Sequence, residues 1–342
     1  MRGPVFHKER GAALLIVLIL AATASAIALA LVDDLTFAVR RTGNLSAREQ
    51  ARWYAVGAEP LAAAILEADY RATPEADTKE SPWFQQQNQF PIDGGMIVAD
   101  LRDDTACFNI NALVRQTSVG VYAANPDAFD AYALLLASLE IDRSVQGALI
   151  DAAIDWMDSD EDRSASGAES NHYRREEPPR EAANQPLQEV GELRAVRGYD
   201  LEVYSTLAPY LCAHSPGELT PINVNLLTEE DAPIVRMLSD GRLDLRPAAE
   251  IAAATPVSGW ASSVAFWDAL RANSNTDWSD LQPADPKTFA GEGTGVPAAT
   301  VSGYYRLTTR ITYYDAYLEA EAAIRMNGGR AQLLWRRLGA DG

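Results

Sequence analysis

An acidic segment in the middle of the chain carries the side chains whose types and spacing are best suited to chemistry. Six of them bear oxygen ligands: Asp155, Asp158, Asp160, Asp162, Glu169 and Asn171. Ca²⁺ requires several oxygen ligands on a flexible segment, and Glu169 occupies the twelfth position counted from Asp158. Because the sixth position is not glycine, the segment differs from an EF-hand loop. The spacing therefore favours a calcium site of another kind.

The alternative for this segment is a solvated acidic loop without a metal ion. Its counter-charges would be Arg163, Arg174 and Arg175, which lie within the segment or just beyond it. Both interpretations stay open at the level of the sequence.

Catalytic chemistry has little support in the sequence. The three histidines, His7, His172 and His214, are far apart, and a lone histidine next to arginines, such as His172, is typical of a surface residue. The chain contains no Gly-x-Ser-x-Gly, His-Glu-x-x-His or phosphate-loop motif. We therefore expect a protein without catalytic activity.

The N-terminus predicts a membrane anchor. A polar leader, residues 1–11, ends in Gly11, and residues 12–32 follow without a charge up to Asp33. At about 1.5 Å per residue this stretch forms a helix of roughly 31 Å, long enough to cross a bilayer. A secretory signal has its cleavage site after the apolar stretch, whereas the glycine here precedes it. This order is that of a type IV prepilin, and it predicts cleavage by a prepilin peptidase between Gly11 and Ala12.

The charges on either side of the apolar stretch predict its orientation. Arg2, Lys8 and Arg10 precede the stretch, whereas Asp33 and Asp34 follow it. By the positive-inside rule the N-terminus stays in the cytoplasm and the bulk of the chain is periplasmic. We therefore expect a single-pass inner-membrane protein. An ordinary signal anchor in front of an unrelated domain has the same hydropathy and is the alternative.

Ile16 would be the fifth residue after cleavage. Most pilins have glutamate there, and it neutralises the N-terminal amine of a neighbouring subunit in the apolar filament core, where an unpaired charge costs several kcal/mol. Isoleucine cannot do this. We therefore expect a position at the tip of a filament, where no subunit lies ahead.

The charge of the chain restricts its partners. It contains 29 Lys and Arg against 48 Asp and Glu, for a net charge of −19. Phosphate binding depends on clustered Lys and Arg, so we expect no nucleic-acid partner, although residues 192–211 could be read as a helix-hairpin-helix unit. An acidic chain instead favours protein partners or divalent cations.

Cys107 and Cys212 are the two cysteines of the chain, and both lie on the expected periplasmic side. Each lies beside a short predicted strand, at 107–111 and at 210–213, at the base of a long insertion. One interpretation is a disulfide, because exported proteins form them. The other is two buried thiols, since cysteine is among the most buried residue types.

The hydrophobic periodicity predicts the architecture. Helical spacing continues to about Tyr70, and residues 73–91 read as a surface loop. Strands are predicted at 95–101, 107–111, 304–314, 317–326 and 331–338, with a hairpin turn at Asn327-Gly-Gly. The predicted fold is α+β: a pilin-like long N-terminal transmembrane helix packed on an antiparallel sheet, with a large, mainly α-helical insertion of two small helical lobes.

This architecture divides the chain into six parts. They are the leader 1–11, the transmembrane helix 12–32, the stem helix and first part of the pilin-like domain 33–111, a first helical lobe with the acidic segment 112–220, a second helical lobe 221–300, and C-terminal strands 301–342 that complete the sheet. A weak internal repeat, Phe-Asn-Ile-Asn-Ala-Leu at 108–113 and Ile-Asn-Val-Asn-Leu-Leu at 222–227, opens the two lobes.

The order of several short motifs carries a family resemblance. They lie at residues 11–18, 50–59, 108–113, 155–160, 192–198 and 222–225. Together with Ile16 and the large insertion, they resemble the general secretion pathway protein K family, the largest minor pseudopilin of type II secretion systems. The chain departs from the family at Ala12, the expected first mature residue, so the resemblance leaves its N-methylation open.

The resemblance implies a function in filament assembly. A member of this family is expected to cap the pseudopilus, to join the minor pseudopilins I and J, and to nucleate assembly at the inner-membrane secretion platform. The resemblance also implies structural calcium in the first lobe. The alternatives are a tip minor pilin of another type IV filament and a membrane-anchored periplasmic binding domain.

Overall fold

A computed structural model of the chain describes residues 9–85, 88–272 and 295–339. Its helices are α1 (Glu9–Ala72), α2 (Pro82–Gln85), α3 (Phe129–Ser138), α4 (Arg143–Met157), α5 (Ser170–Tyr173), α6 (Leu201–Leu207), α7 (Ala232–Leu238), α8 (Leu245–Ala253) and α9 (Ser263–Ala272). Its strands are β1 (Asn88–Ile92), β2 (Gly95–Asp103), β3 (Phe108–Asn109), β4 (Val114–Ser118), β5 (Val121–Ala124), β6 (Leu211–Cys212), β7 (Ile222–Asn223), β8 (Ala298–Ala299), β9 (Tyr304–Tyr313), β10 (Ala316–Asn327) and β11 (Arg330–Leu338). The predicted leader and second lobe lie partly outside the described residues.

The stem helix α1 is one continuous helix of 64 residues that passes through Pro60. Its large apolar side chains between positions 14 and 45 are exposed. Farther along, Ala51 and Ala55 lie one helical turn apart, on one face, and are buried against Ile311 and Ala320 of the sheet. These small side chains let the helix backbone come close to the sheet, so the second half of α1 is the half that packs.

The main sheet has five strands in the order β1-β2-β9-β10-β11, and all neighbours are antiparallel. The predicted hairpin is confirmed, because Asn327 pairs with Arg330 across Gly328 and Gly329, which have φ values of 56° and 78°. Such left-handed values are easily adopted by glycine. The helix laid on this sheet is the predicted pilin-like α+β arrangement.

The prediction of a surface loop over residues 73–91 was wrong in its second half. Residues 88–92 form the edge strand β1, and Pro91 is tolerated there because an edge strand has one side without ladder partners. In α2, Trp83 is buried and its ring lies edge-on to Tyr305 at 5.1 Å. The high content of Pro, Gln and Asn in this segment is typical of loops, so the sequence did not indicate α2 or β1.

The predicted strand at 107–111 was too long. Only Phe108 and Asn109 are strand, and they pair in parallel with Leu211 and Cys212 of β6. A 3₁₀ turn, Ile110–Leu113, follows, because the Asn109 side chain accepts a hydrogen bond from the Asn111 backbone N–H.

The two copies of the internal repeat have the same local structure. In the second copy the Asn223 side chain accepts from the Asn225 N–H at 3.0 Å, and β7 pairs in parallel with β8. One continuous buried cluster runs from Phe108 to Ala298 through both copies. The two predicted lobes therefore share a core, and the boundary between them at 220/221 stays a prediction.

The insertion joins the pilin-like part near the C-terminal end of α1. The Asp77 N–H donates to the Thr300 carbonyl oxygen at 2.8 Å, and the Thr300 hydroxyl donates to the Glu75 carbonyl oxygen at 2.8 Å. The Asn223 side-chain amide also donates to the Asp77 carbonyl oxygen. The insertion is thus attached at the end of the stem helix that is farthest from the apolar N-terminal stretch.

Candidate metal centre and the base of the insertion

Two helix ends position the acidic segment. Helix α4 ends at Met157, and Asp158 caps it by donating its backbone N–H to the Ile154 carbonyl oxygen at 2.8 Å. The segment returns so that Glu169 immediately precedes α5. Trp156 of α4 lies edge-on to Tyr173 of α5, with ring centroids 4.9 Å apart. This aromatic contact holds the two helices together at the two ends of the acidic segment.

Three carboxylates meet in this segment. One oxygen each from Asp158, Asp160 and Glu169 can be chosen so that all lie within 4.8 Å of one another. Asp158 is 6 % exposed and Glu169 is 2 % exposed. Among the described residues, Asp158 Oδ1 and both carboxylate oxygens of Glu169 have no hydrogen-bond partner. Buried carboxylate oxygens without partners are costly, and a hard divalent cation bound by oxygens would satisfy them. The donor set fits such an ion.

The electrostatics of the cluster agree with this fit. Burial, together with the smaller effect of the charges of Asp160 and Asp155, raises the pKa of the Asp158 carboxyl to about 7. Burial also raises the pKa of the Glu169 carboxyl to about 8, with added repulsion from Asp155, Asp158 and other carboxylates. The three carboxylates are therefore held together against their mutual repulsion, which a bound cation would cancel.

Asp155 lies beside the cluster in a supporting position. It is buried, and both of its carboxylate oxygens accept from the Ser164 backbone N–H at 3.1 Å. Burial raises the pKa of this carboxyl. A Cβ at Gly167 would lie 2.0 Å from Asp155 Oδ2, so only glycine lets the segment close over this side chain.

Asp162 and Asn171 lie outside the cluster. The Asp162 side chain is exposed, and its backbone N–H donates to Asp160 Oδ1 at 2.8 Å. Asn171 is also exposed, and its Oδ1 accepts from Arg174 Nη1 at 3.4 Å. Of the six predicted ligands, the structure brings together Asp158, Asp160 and Glu169.

Asn184 is a neighbour of the site that the sequence did not indicate. Its backbone N–H donates to the Trp156 carbonyl oxygen at 2.9 Å, and its Nδ2 donates to Glu161 Oε1 at 3.4 Å. Glu161 in turn adds to the rise in the pKa of Glu169. Asn184 lies beyond the residues that were considered as ligands by their spacing from Asp158. Its backbone is left-handed, with φ of 49°, a conformation in which asparagine is enriched.

Cys107 and Cys212 form a disulfide with an S–S distance of 2.06 Å. It joins the start of β3 to β6 at the base of the insertion. Beside it, the His214 ring stacks on Tyr304 at 3.8 Å. His214 Nε2 lies 3.3 Å from Asp104 Oδ2. The disulfide links β6 covalently to the start of β3, whereas the stacked His214 ring connects the same region to Tyr304 of β9. Because the two sulfurs are bonded to each other, they offer no free thiolates to a metal ion.

The N-terminal site residues lie in the apolar half of the stem helix. Gly11 and Ala12 belong to α1, and Ile16 is exposed on it. The helix contains an 18-residue window with a mean hydropathy of 2.8, and none of that window is buried. By length and composition it fits a single-pass membrane anchor.

An exposed apolar helix that fits a membrane anchor and continues as the packed helix of an antiparallel sheet defines the chain as a pilin-like protein. Comparisons with known proteins specify its family. The family description "Type II secretion system (T2SS), protein K" matches residues 106–216. Type II secretion system protein K of Pectobacterium carotovorum subsp. carotovorum is 33 % identical over 336 residues, 97 % of each chain. The chain belongs to the type II secretion system protein K family.

Two further comparisons agree with this assignment. Type II secretion system protein K of Aeromonas hydrophila is 34 % identical over 278 residues, which cover 80 % of this chain and 84 % of that protein. A chain in the crystal structure of the GspK-GspI-GspJ complex from enterotoxigenic Escherichia coli superposes with a TM-score of 0.72 at 27 % identity, over 88 % of this chain and all of that one. They confirm the resemblance and the fold class expected from the sequence. The relatives' names describe a secretion component and state no catalytic activity.

Proposed function

We propose that this protein caps the tip of the type II secretion pseudopilus and nucleates its assembly with the minor pseudopilins I and J, for protein export across the outer membrane. The observation that carries this proposal is the position of the insertion. It is bonded to the residues that follow the C-terminal end of α1, the end opposite the apolar stretch. A body of this size at that end would prevent another subunit from stacking on top.

The partners follow from the related complex and from the stem helix. The GspK-GspI-GspJ complex contains a chain of the same fold, which supports I and J as partners here. The exposed apolar side chains between positions 14 and 45 need lipid or neighbouring helices to cover them. Ile16 occupies the position where most pilins have a glutamate that neutralises the N-terminal amine of a neighbouring subunit. A subunit at the tip has no neighbour ahead of it and does not need that glutamate.

In this proposal, the chain is first inserted into the inner membrane and processed there. The N-terminus is cytoplasmic and the globular part is periplasmic, as the flanking charges indicate. The prepilin peptidase cleaves between Gly11 and Ala12, and the secretion platform then receives the mature chain. No catalytic activity is part of this function.

The acidic segment is proposed as a structural calcium site. Asp158, Asp160 and Glu169 would hold the ion, and Asp155 would order the segment through Ser164. When bound, calcium supplies positive charge that neutralises carboxylates in a buried place. The unpartnered oxygens of Asp158 and Glu169 support this assignment.

The test of the tip function is co-purification of the full-length chain with the full-length pseudopilins I and J of the same organism. The three are co-expressed, extracted in detergent and measured by mass after size exclusion. A stoichiometric ternary complex is expected, and an excess of this chain is expected to shorten pseudopili. Absence of association, with all three proteins folded, would favour a minor pilin of another filament or an anchored binding domain.

A further inference from the structure

The hairpin of β4 and β5 borders the candidate metal centre. In the described part of the chain, the two strands pair with each other as a separate two-stranded sheet. Beyond its buried first residue, Val114, strand β4 is exposed, and Val119 at the turn is 97 % exposed. A two-stranded hairpin is at best marginally stable in water, so the order of this one depends on its anchors.

One anchor of the hairpin is Ser159. The Ser159 backbone N–H donates to the Tyr122 carbonyl oxygen at 3.0 Å, and the Tyr122 N–H donates to Ser159 Oγ at 2.9 Å. Tyr122 is opposite Gln116 in the register of the hairpin. Both backbone polar groups of Tyr122 therefore bond to Ser159, the N–H to its hydroxyl and the carbonyl oxygen to its backbone N–H.

A second anchor lies at the base of the hairpin. The Asn125 backbone N–H donates to the Leu113 carbonyl oxygen at 2.8 Å, and its side-chain amide donates to the Ala112 carbonyl oxygen at 2.8 Å. These bonds do not pass through the acidic segment. A change in that segment should therefore affect the outer part of the hairpin and leave its base in place.

Ser159 lies between two of the three carboxylates of the metal centre. Asp158 precedes it and Asp160 follows it, and both approach Glu169. Where these carboxyls are ionised and no cation is bound, their like charges repel one another, which favours an opened backbone at Ser159. With a cation they are drawn to one point, and the backbone of Ser159 is fixed in the position that bonds Tyr122.

We propose that cation binding at Asp158, Asp160 and Glu169 orders the β4–β5 hairpin through the two hydrogen bonds between Ser159 and Tyr122. This inference rests on the proposed calcium site. The effect of the cation would then extend beyond the acidic segment. Whether the site is occupied would decide whether the exposed β4–β5 hairpin has one conformation or many.

The experiment is residue-resolved hydrogen–deuterium exchange on the full-length protein in detergent, with Ca²⁺ or with a chelator, beside calorimetric titration with Ca²⁺. We expect Ca²⁺ to slow exchange of the Tyr122 amide about tenfold, which is the change that one hydrogen bond of ordinary strength makes in an equilibrium. The Asn125 amide should exchange at the same rate in both conditions.

Two variants test the route. Ser159→Ala removes the acceptor of the Tyr122 N–H without removing a ligand, so it should bind Ca²⁺ like the wild type and lose the slowing at Tyr122. Ser159→Thr keeps the hydroxyl and should retain the slowing. The matched control is Ser205→Ala, which removes a hydroxyl bonded to the Glu202 carbonyl oxygen in α6 and should behave like the wild type.

The outcomes separate the inference from the site on which it rests. Ca²⁺ binding without a change at Tyr122 would overturn the coupling and leave the metal site standing. Absence of Ca²⁺ binding would overturn both. If Ca²⁺ slowed exchange of the Tyr122 amide fully in Ser159→Ala, or no longer slowed it in Ser205→Ala, the assignment of the coupling to Ser159 would be overturned.

Discussion

Arg336 of β11 donates from Nε and Nη2 to the two carboxylate oxygens of Glu59 on the stem helix, 277 residues earlier in the sequence. Glu59 is buried, whereas Arg336 is exposed. The pair joins the first and the last elements of the pilin-like part, and the whole insertion lies between them in the chain. Closure of this part of the fold therefore depends on the final strand.

Arg336→Ala should destabilise the protein. The substitution leaves the Glu59 carboxylate buried without its partner, and we expect a loss of about 2 kcal/mol in the free energy of unfolding. Thermal unfolding of the detergent-solubilised protein checks this. Arg330→Ala, an exposed arginine on the same strand, is the control and should change little. Equal melting temperatures for both variants would contradict the role of the pair.

The disulfide should be a large contributor to stability. Cys107 and Cys212 are 105 positions apart, and a cross-link that closes a loop of this length stabilises a fold by about 5 kcal/mol in the chain-entropy account. The double variant Cys107→Ser, Cys212→Ser should therefore unfold at a much lower denaturant concentration. Wild-type protein reduced before unfolding is the matched control and should approach the variant. An unchanged midpoint in the double variant would contradict this prediction.

The sequence predicted the fold where a local pattern determined the structure. The strands 304–313, 316–327 and 330–338 were found because alternation and the Asn-Gly-Gly turn are short-range signals. Strand β1 was missed, because what makes it a strand is its pairing with Gly95 and its neighbours, a tertiary contact. Pro91 and the Asn and Gln residues around it pointed to a loop.

The candidate site shows the same division. The spacing of carboxylates identified Asp158, Asp160 and Glu169, because a segment that leaves one helix and enters the next must fold back on itself. The spacing could not separate them from Asp162, whose exposure follows from a turn in which its N–H bonds Asp160. Asn184 could not be found at all, since a hydrogen bond from its backbone N–H to the Trp156 carbonyl oxygen, a tertiary contact, places it there.

Gly11→Leu should block processing of the leader. Cleavage after Gly11 removes residues 1–11, so the wild-type chain expressed with the prepilin peptidase should have the mass of a chain that begins at Ala12. The variant should keep its full mass. Gly43→Leu is the control, because Gly43 lies in the same helix with open space around it, and it should be processed. Full processing of Gly11→Leu would contradict the assigned cleavage site.

Ca²⁺ should raise the melting temperature of the full-length protein by about 5 °C at a hundredfold excess over its Kd, because a ligand that binds only the folded state stabilises it by mass action. The combined Asp158→Ala and Asp160→Ala substitutions should abolish this rise. The matched control is Asp162→Ala, which removes an exposed carboxylate of the same segment and should keep the rise. An unchanged metal response in the double variant would count against this site.

The metal-free protein should lose stability as the pH rises through the neutral range. The pKa values of Asp158 and Glu169 in the folded state are raised to about 7 and about 8, whereas in the unfolded chain both carboxyls titrate near pH 4. Between these values the folded state binds more protons than the unfolded state, so the free energy of unfolding falls with increasing pH. In a chelator, the melting temperature should therefore be lower at pH 8 than at pH 6. Glu169→Gln, which stays neutral at both pH values, should reduce this difference, and saturating Ca²⁺ should reduce it in the wild type because the ion replaces the bound protons. A difference of equal size in Glu169→Gln would show that other carboxyls cause it.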